Sequence, residues 1–221
     1  MDFEYILRIT GHMLVGAQTT VLTFIIVIIL SLPLGFLVTL AARCPFKPLS
    51  WAANFFIYVI RGTPLLLQLL FIYFALPLIP VIGKYLVLER FTAACLGFVI
   101  NYSAYFAEIF RGGLLAISKG QYEAAKVLGL GRFQTTFYII IPQMLRVSLP
   151  AISNESITLV KDTALLYAVS VPEVLHVAKA AVNRDASILP FFIAALIYLL
   201  MILVLTVLFR RIERRYNFNG D

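Results

Sequence analysis

The chain has 221 residues, of which 62% are hydrophobic and only 13% are charged. This composition excludes an ordinary soluble domain and predicts an integral membrane protein. The net charge of +7 is distributed over loops and the C-terminal segment rather than along one stripe, which disfavours nucleic-acid binding, and Cys44 and Cys95 form neither a disulfide framework nor a metal-binding motif.

Five segments are apolar enough to predict membrane spans. They are residues 18–42, 51–78, 91–115, 137–160 and 186–209. Residues 1–17 predict an outer interfacial, mildly amphipathic segment that leads into the first span. The second span is interrupted by the sequence Arg61-Gly62-Thr63-Pro64. The predicted fold is one all-α membrane domain of about five transmembrane helices.

The fourth span is the least apolar of the five. At about 100° per residue, its polar side chains fall within an arc of about 140°. They are Ser148, Asn154, Glu155, Thr158, Lys161 and Asp162. Such a helix can cross a membrane only if its polar arc faces protein or a water-filled cavity.

The distribution of basic residues predicts the orientation of the spans. An odd number of spans places the two ends of the chain on opposite sides. With the C-terminus inside, the cytoplasmic segments hold eleven basic residues and the outer segments hold six, with Arg61 inside a span. The positive-inside bias therefore predicts N-out, C-in, with residues 210–221 as a cytoplasmic tail.

Residues 121–142 form a charged, glycine-punctuated loop between the third and fourth spans. We expect residues 118–131 to form a cytoplasmic coupling segment whose helix runs over Gly120–Leu130, with Glu123 in its first turn, where a carboxylate complements the helix dipole. Gly129 and Gly131 suit a reversed backbone conformation at the end of this helix. Pro142 is expected to bend or start the fourth span. An amphipathic helix lying on the membrane is the alternative interpretation.

This loop carries a recognisable spacing: Glu123-Ala124-Ala125, then Gly129, then Ile139-x-Ile141-Pro142. It resembles the EAA loop of ABC-importer permeases, E-A-A-x3-G-x9-I-x-L-P, with Ile141 where Leu is usual. The resemblance implies that the loop docks on a separate ATP-binding subunit and that Glu123, Ala124, Ala125 and Gly129 couple to it. A Walker-type phosphate loop is absent from the sequence, so we expect ATP and Mg on that partner and no cofactor on this chain.

Three further segments resemble the polar amino-acid branch of these permeases. They are Arg61-Gly62-Thr63-Pro64 with residues 65–77, Asn101-Tyr102-Ser103-Ala104-Tyr105 with Glu108 and Arg111-Gly112-Gly113, and Asn154-Glu155-Ser156-Ile157 with Lys161-Asp162-Thr163 and Leu165. The resemblance implies a binding-protein-dependent importer in a prokaryotic inner or plasma membrane. Its expected partners are two ATPase subunits, a second permease copy or paralogue, an extracytoplasmic solute-binding protein and an amino-acid substrate, such as arginine, lysine, histidine or glutamine.

Seven polar residues at predicted membrane depth are candidates for a substrate pathway. They are Glu155, Asn154, Thr158, Arg61, Gln68, Asn101 and Tyr105. A carboxylate at this depth is costly unless it is paired or functional, so Glu155 is expected either to hold a cationic group of the substrate or to pair with Arg61 or Lys161.

The other candidates also have structural alternatives. Arg61 could mark a helix break stabilised by a carboxylate, and Gln68 could hydrogen-bond a neighbouring helix. Asn101, Tyr105 and Glu108 form one stripe, which suits interhelical packing as well as a ligand site. Glu108 is expected to pair with Arg111, three residues on.

Lys161, Asp162 and Thr163 lie at the predicted outer end of the fourth span. The resemblance implies an outer gate facing the solute-binding protein. Alternatively, Asp162 or Thr163 caps the start of a following helix. Both roles are compatible.

Two other classes of function compete with an ATP-driven importer. An ion-coupled secondary amino-acid transporter would use Glu155, Lys161 and Asp162 as an ion relay, and a membrane scaffold would only recruit a soluble partner. A catalytic enzyme is disfavoured, because His12 and His176 are far apart in sequence and neither cysteine lies in a nucleophile motif.

Overall fold

The computed structural model describes residues 3–216, and every regular element in that range is helical. The α-helices are α1 (Phe3–Ala42), α2 (Lys47–Gly62), α3 (Leu65–Leu70), α4 (Arg90–Leu115), α5 (Lys119–Val127), α6 (Arg132–Gln134), α7 (Ile141–Asp162), α8 (Val174–Asp185) and α9 (Leu189–Tyr216). A π-helical turn, Phe71–Ala75, extends α3, and a second one, Thr135–Ile140, precedes α7. A 3-10 segment, Thr163–Val169, follows α7.

Helix α1 is longer than predicted. It runs unbroken from Phe3, so the described part of the predicted lead-in at residues 1–17 is not a separate interfacial segment. The reason is packing: Ile9 and Met13 are buried against α8 and α9 rather than lying at a membrane surface. Pro33 lies inside the helix without ending it.

The buried face of α1 packs along α4, and the two helices are parallel. Ile26 lines a groove together with Phe91, near the start of α4, and the Thr39 hydroxyl donates a hydrogen bond of 2.9 Å to the Ala107 carbonyl. Small residues permit this approach, because a Cβ on Gly35 would lie 2.7 Å from the Phe106 Cβ. The carboxyl ends of α1 and α4 therefore meet at the same end of the bundle.

Helix α7 runs antiparallel to α4, and α9 runs parallel to α1. Gly113 contacts Met144 at one end of the α4–α7 pair, while Tyr102 reaches Asp162 toward the other. Residues 14–25 of α1 line a common groove with residues 197–205 of α9, in the same direction. Helix α5 and the C-terminal end of α9 consequently lie at the end of the bundle where α1 and α4 finish.

The predicted second span is sharply bent. Helices α2 and α3, with the turns that extend α3, meet at 106° across Thr63–Pro64. Thr63 is extended, with φ −120° and ψ 146°, because a following proline disfavours helical backbone. The first arm also begins at Lys47, before the predicted start at residue 51.

Four helices are long and apolar enough to cross a membrane, and the bent pair gives a fifth candidate. These findings confirm the predicted all-α membrane fold of about five spans. Two further segments differ in extent from the prediction. Helical structure around the fourth span extends over Arg132–Val169, and the last helix continues to Tyr216, so the predicted tail is helical at its start.

Candidate functional site

The break between α2 and α3 is held by a polar network on one side chain. The Gln68 amide donates to the Ile60 carbonyl at 2.8 Å and to the Thr63 hydroxyl at 2.8 Å. Asn101 on α4, which is buried, donates to the Gln68 side-chain oxygen at 3.0 Å. Gln68 thus bridges the break and fastens it to the neighbouring helix, as its structural alternative predicted.

Glu108 lies between two guanidinium groups. It accepts hydrogen bonds from Arg111 at 2.6 and 2.9 Å, which confirms the predicted local ion pair. Arg61, beside the helix break, approaches the same carboxylate at 3.4 Å. The Arg61 guanidinium also lies 5.2 Å from the centroid of the Tyr105 ring. The predicted stripe of Asn101, Tyr105 and Glu108 on α4 therefore faces α2 and α3. Its polar side chains make contacts between helices, as one of its two interpretations predicted.

Glu155 lies half-buried on α7 without an ion-pair partner among residues 3–216. Neither Arg61 nor Lys161 therefore forms the ion pair with Glu155 that was one of the predicted alternatives. The charges that act on Glu155 are those of Asp162 and Arg61. We call Arg61, Tyr105, Glu108, Glu155 and Asp162 the polar cluster.

Asp162 has a partner that the sequence did not suggest. The Tyr102 hydroxyl donates to its carboxylate at 2.7 Å, and Tyr102 itself is almost completely buried. This hydrogen bond joins the end of α7 to the middle of α4. The spacing of polar residues along one helix carries no signal for such a contact, because the two residues are sixty positions apart.

The remaining polar residues of α7 differ in how far they are buried. Asn154 is exposed and Thr158 is half-buried, with its hydroxyl donating to the Asn154 carbonyl within the same helix. Ser148 lies two turns before Glu155, on nearly the same side of the helix, in line with the predicted polar arc. It is buried against Gly113 of α4 and donates to the Ile109 carbonyl at 3.4 Å.

The predicted capping role at the end of α7 is wrong. Neither Asp162 nor Thr163 accepts a backbone hydrogen bond that caps a helix, because α7 runs directly into a 3-10 segment. Thr163 is buried and donates to the Val160 carbonyl, whereas Lys161 is exposed. The next helix, α8, begins instead after Glu173.

Glu173 is a buried carboxylate that caps α8 and ties it to α9. Its oxygens accept from the backbone N–H groups of Leu175 at 2.7 Å and His176 at 2.6 Å. The Tyr198 hydroxyl donates to it at 2.6 Å, and its exposed fraction is 0%. The position of Glu173 before an apolar run could have indicated the start of a helix. The hydrogen bond from Tyr198, which is distant in the sequence, could not have been predicted.

Helix α5, within the predicted coupling loop, is shorter than expected and begins after a Ser118 cap. Because it starts at Lys119, Glu123 lies beyond the first turn, and the predicted interaction with the helix dipole is wrong. Ala125 is buried against the protein, whereas Glu123 and Ala124 are exposed. Exposed apolar side chains accompany them: Tyr122, Val127, Leu128 and Phe133.

Gly129 ends this helix in the reversed conformation that was predicted. Its φ is +73°, and the Leu130 N–H donates to the Ala125 carbonyl in the pattern of a helix-terminating turn. Gly131 has an ordinary φ of −67° and instead precedes the short helix α6. Helical structure thus resumes before Pro142, which lies in the first turn of α7.

These features are typical of a membrane permease, which is a transport subunit. Several apolar helices surround partly buried polar groups, and a short helix with exposed apolar side chains lies at one end. The chain belongs to the family of binding-protein-dependent transport system inner membrane components, whose match covers residues 31–218. It is accordingly a multi-pass membrane protein.

Several curated proteins are similar to this chain along most of its length. The arginine transport system permease protein ArtQ of Bacillus subtilis (strain 168) is 35% identical, over 99% of both chains. The L-cystine transport system permease protein TcyB of the same organism is 35% identical, over 95% of this chain and 86% of that protein. The glutamine transport system permease protein GlnP of Escherichia coli (strain K12) is 42% identical, over 75% of this chain and 77% of that protein.

Solved structures share the fold. A chain of an amino acid ABC transporter with histidines superposes with a TM-score of 0.87 and 34% identity, over 97% of this chain and 99% of that chain. A chain of the MetNI methionine ABC transporter, in an inward facing conformation, gives a TM-score of 0.73 at 17% identity, over 98% of this chain and 100% of that chain. The second similarity is one of fold.

Proposed function

We propose that this chain is the permease subunit of an ATP-driven, binding-protein-dependent importer of polar amino acids in a prokaryotic inner or plasma membrane. The observation that carries the proposal is the proximity of Arg61 on α2 to Glu155 and Asp162 on α7, within a permease fold. Relatives named for arginine, glutamine and cystine transport support an amino-acid cargo.

Glu155 is the proposed contact for a cationic group of the cargo. Its carboxylate is half-buried and has no ion pair among the described residues, whereas Glu108 is already shared by two arginines. An unpaired carboxylate at membrane depth is costly, and binding an ammonium or guanidinium group would offset that cost. Asn154 and Thr158 extend the proposed pathway along α7, with Arg61, Gln68, Asn101 and Tyr105 forming and supporting its wall.

We propose that a separate ATPase, which would bind ATP and Mg, supplies the energy for transport. Helix α5 presents Glu123 and Ala124 together with exposed apolar side chains, and such a surface suits docking into a groove on that subunit. Gly129 sets the direction in which the chain leaves the docked helix. Lys161, Asp162 and Thr163 would form an outer gate toward the solute-binding protein.

The proposed assembly contains two permeases and two ATPases. Five spans surround at most half of a pathway, so a second copy or a paralogue is needed, and a closed two-fold arrangement is the default for such pairs. The excess of basic residues in alternate loops supports N-out, C-in. This orientation would put α5 on the side where ATP is available.

The test is uptake of radiolabelled arginine, lysine, histidine and glutamine by Glu155→Gln. The permease is reconstituted with its ATPase and binding protein at matched protein levels. We expect uptake to fall or the order of preferred substrates to change. Glu89→Gln, which removes an exposed carboxylate outside the polar cluster, is the matched control and should behave as wild type.

Unchanged uptake and unchanged preference in Glu155→Gln would contradict the assigned contact. Transport that follows an ion gradient and continues without ATP would instead identify a secondary transporter. Substrate-stimulated ATPase activity of the complex would exclude a scaffold that only recruits a partner.

A further inference from the structure

The C-terminal end of α9 carries four arginines on one side of the helix. They are Arg210, Arg211, Arg214 and Arg215, and we call them the basic face. At 100° per residue they fall within an arc of about 140°. All four are exposed, and every ion pair found within residues 3–216 joins other residues. Glu213 is half-buried and lies outside the arc.

The basic face begins at the depth where lipid headgroups lie. Residues 189–209 carry no charge and span about 31 Å at 1.5 Å per residue, which matches a hydrocarbon core of about 30 Å. Arg210 therefore lies at the boundary, and Arg215 lies about 7.5 Å further along the axis. The headgroup layer on each side of a bilayer is about 5–8 Å thick, so the whole face fits within it.

The basic face also continues an exposed apolar stripe of the same helix. Leu203, Val204, Val207 and Leu208 are all exposed, and each lies two turns before one of the four arginines. Residues seven apart lie on nearly the same side of an α-helix. The side of α9 that presents apolar groups along the span thus presents guanidinium groups where the span ends.

We propose that the basic face binds the phosphate groups of anionic phospholipids. Guanidinium groups form bidentate, charge-assisted hydrogen bonds with phosphate oxygens, and clusters of basic residues just beyond a span favour anionic lipids. The lipids would occupy the leaflet at the end of the bundle that also carries α5. This binding does not depend on the transported substrate.

The test is the lipid preference of the purified full-length chain in nanodiscs that contain phosphatidylglycerol and phosphatidylcholine. Lipids retained on the protein are counted by native mass spectrometry after release from the disc. We expect the wild type to retain phosphatidylglycerol preferentially, and the preference to weaken as salt is raised. Arg214→Gln with Arg215→Gln should reduce the preference at least about fivefold, since one basic residue near an anionic surface accounts for about that factor.

Arg8→Gln with Lys84→Gln is the matched control. Both side chains are exposed and lie at the opposite end of the bundle, so an equal loss of charge should leave the preference within twofold of wild type. Replacement of all four arginines by lysine keeps the charge and should retain most of the preference.

An equal loss of preference in the two double variants would show a general charge effect and overturn the proposal. Unchanged lipid preference together with loss of ATPase co-purification in Arg214→Gln with Arg215→Gln would assign the basic face to a protein partner, and would also overturn it. If the glutamine variant is unstable, the salt dependence of the wild type and the lipid preference of the lysine variant test the proposal instead. A wild-type preference for phosphatidylglycerol that does not respond to salt would contradict phosphate binding, and so would loss of this preference in the lysine variant.

Discussion

The Asn101 amide donates a hydrogen bond of 3.0 Å to the side-chain oxygen of Gln68. The same Gln68 side chain donates from its amide to the Ile60 carbonyl, on the other side of the helix break. One amide therefore fixes the bend at Thr63–Pro64 and links it to α4. Through that bend, Arg61 is placed within 3.4 Å of Glu108.

The first prediction concerns this linkage. Asn101→Ala and Gln68→Ala should each destabilise the protein, and their effects should be less than additive because both remove the same interhelical hydrogen bond. We expect a coupling free energy of about 0.6 kcal/mol, the average for such bonds in membrane proteins. The measurement is a double-mutant cycle on unfolding by SDS in mixed micelles. Strict additivity would show that the two amides do not interact.

The second prediction compares Gly129 and Gly131, two glycines of the loop formed by residues 121–142. Gly129→Ala places a Cβ on a residue with φ +73°, which costs about 1–2 kcal/mol, whereas Gly131→Ala keeps an ordinary φ and its Cβ would make only an ordinary contact, 3.6 Å from the Gln134 Oε1. We therefore expect Gly129→Ala to weaken co-purification with the ATPase and Gly131→Ala to leave it unchanged. The same outcome for both variants would contradict the role assigned to the positive φ of Gly129.

The third prediction concerns the contact of α1 with the start of α8. A Cβ on Gly16 would lie 2.8 Å from the Glu173 carbonyl carbon, which is backbone and cannot rotate away. Gly16→Ala should therefore destabilise the protein by about 1–3 kcal/mol, the usual range for overpacking. Gly11, on the same helix, has no atom within 4 Å of an added Cβ, so Gly11→Ala should be neutral or slightly stabilising. Thermal unfolding of both variants in detergent tests this contrast.

The fourth prediction is a pH dependence at the end of α8. Hydrogen bonds from Arg184 and from the Tyr5 hydroxyl lower the pKa of the Asp185 carboxyl from its ordinary 3.8 to about 2. A lowered carboxyl pKa stabilises the folded state above pH 3.8, and this contribution is lost as the pH falls through about 2. The difference in unfolding temperature between wild type and Asp185→Asn should thus be constant from pH 5 to 8 and shrink below pH 3.8. A difference that grows on acidification would contradict it.

Patterns within one helix were predictable from the sequence. The pair of Glu108 with Arg111 follows from their spacing, and the reversed turn at Gly129 follows from the placement of glycine after a helix. The apolar runs likewise predicted the helices that cross the membrane. Each of these properties depends on residues that are near neighbours along the chain.

Contacts between distant helices were not predictable. The hydrogen bonds of Tyr102 with Asp162 and of Tyr198 with Glu173 depend on which faces meet, and one sequence does not specify that. The proline at position 64 predicted a break but not its angle. The start of α5 was predicted at Gly120, one residue too late, because Ser118 was not recognised as its cap.

The continuity of α1 has a mechanical consequence. Its 40 residues form a rod of about 60 Å, and the rod is fastened near both ends. Near one end Tyr5 donates to Asp185 of α8, and at the other the Ala42 carbonyl accepts from Ser50 of α2. One continuous helix therefore connects α8 to α2 from one end of the bundle to the other, by a path that includes no residue of the polar cluster.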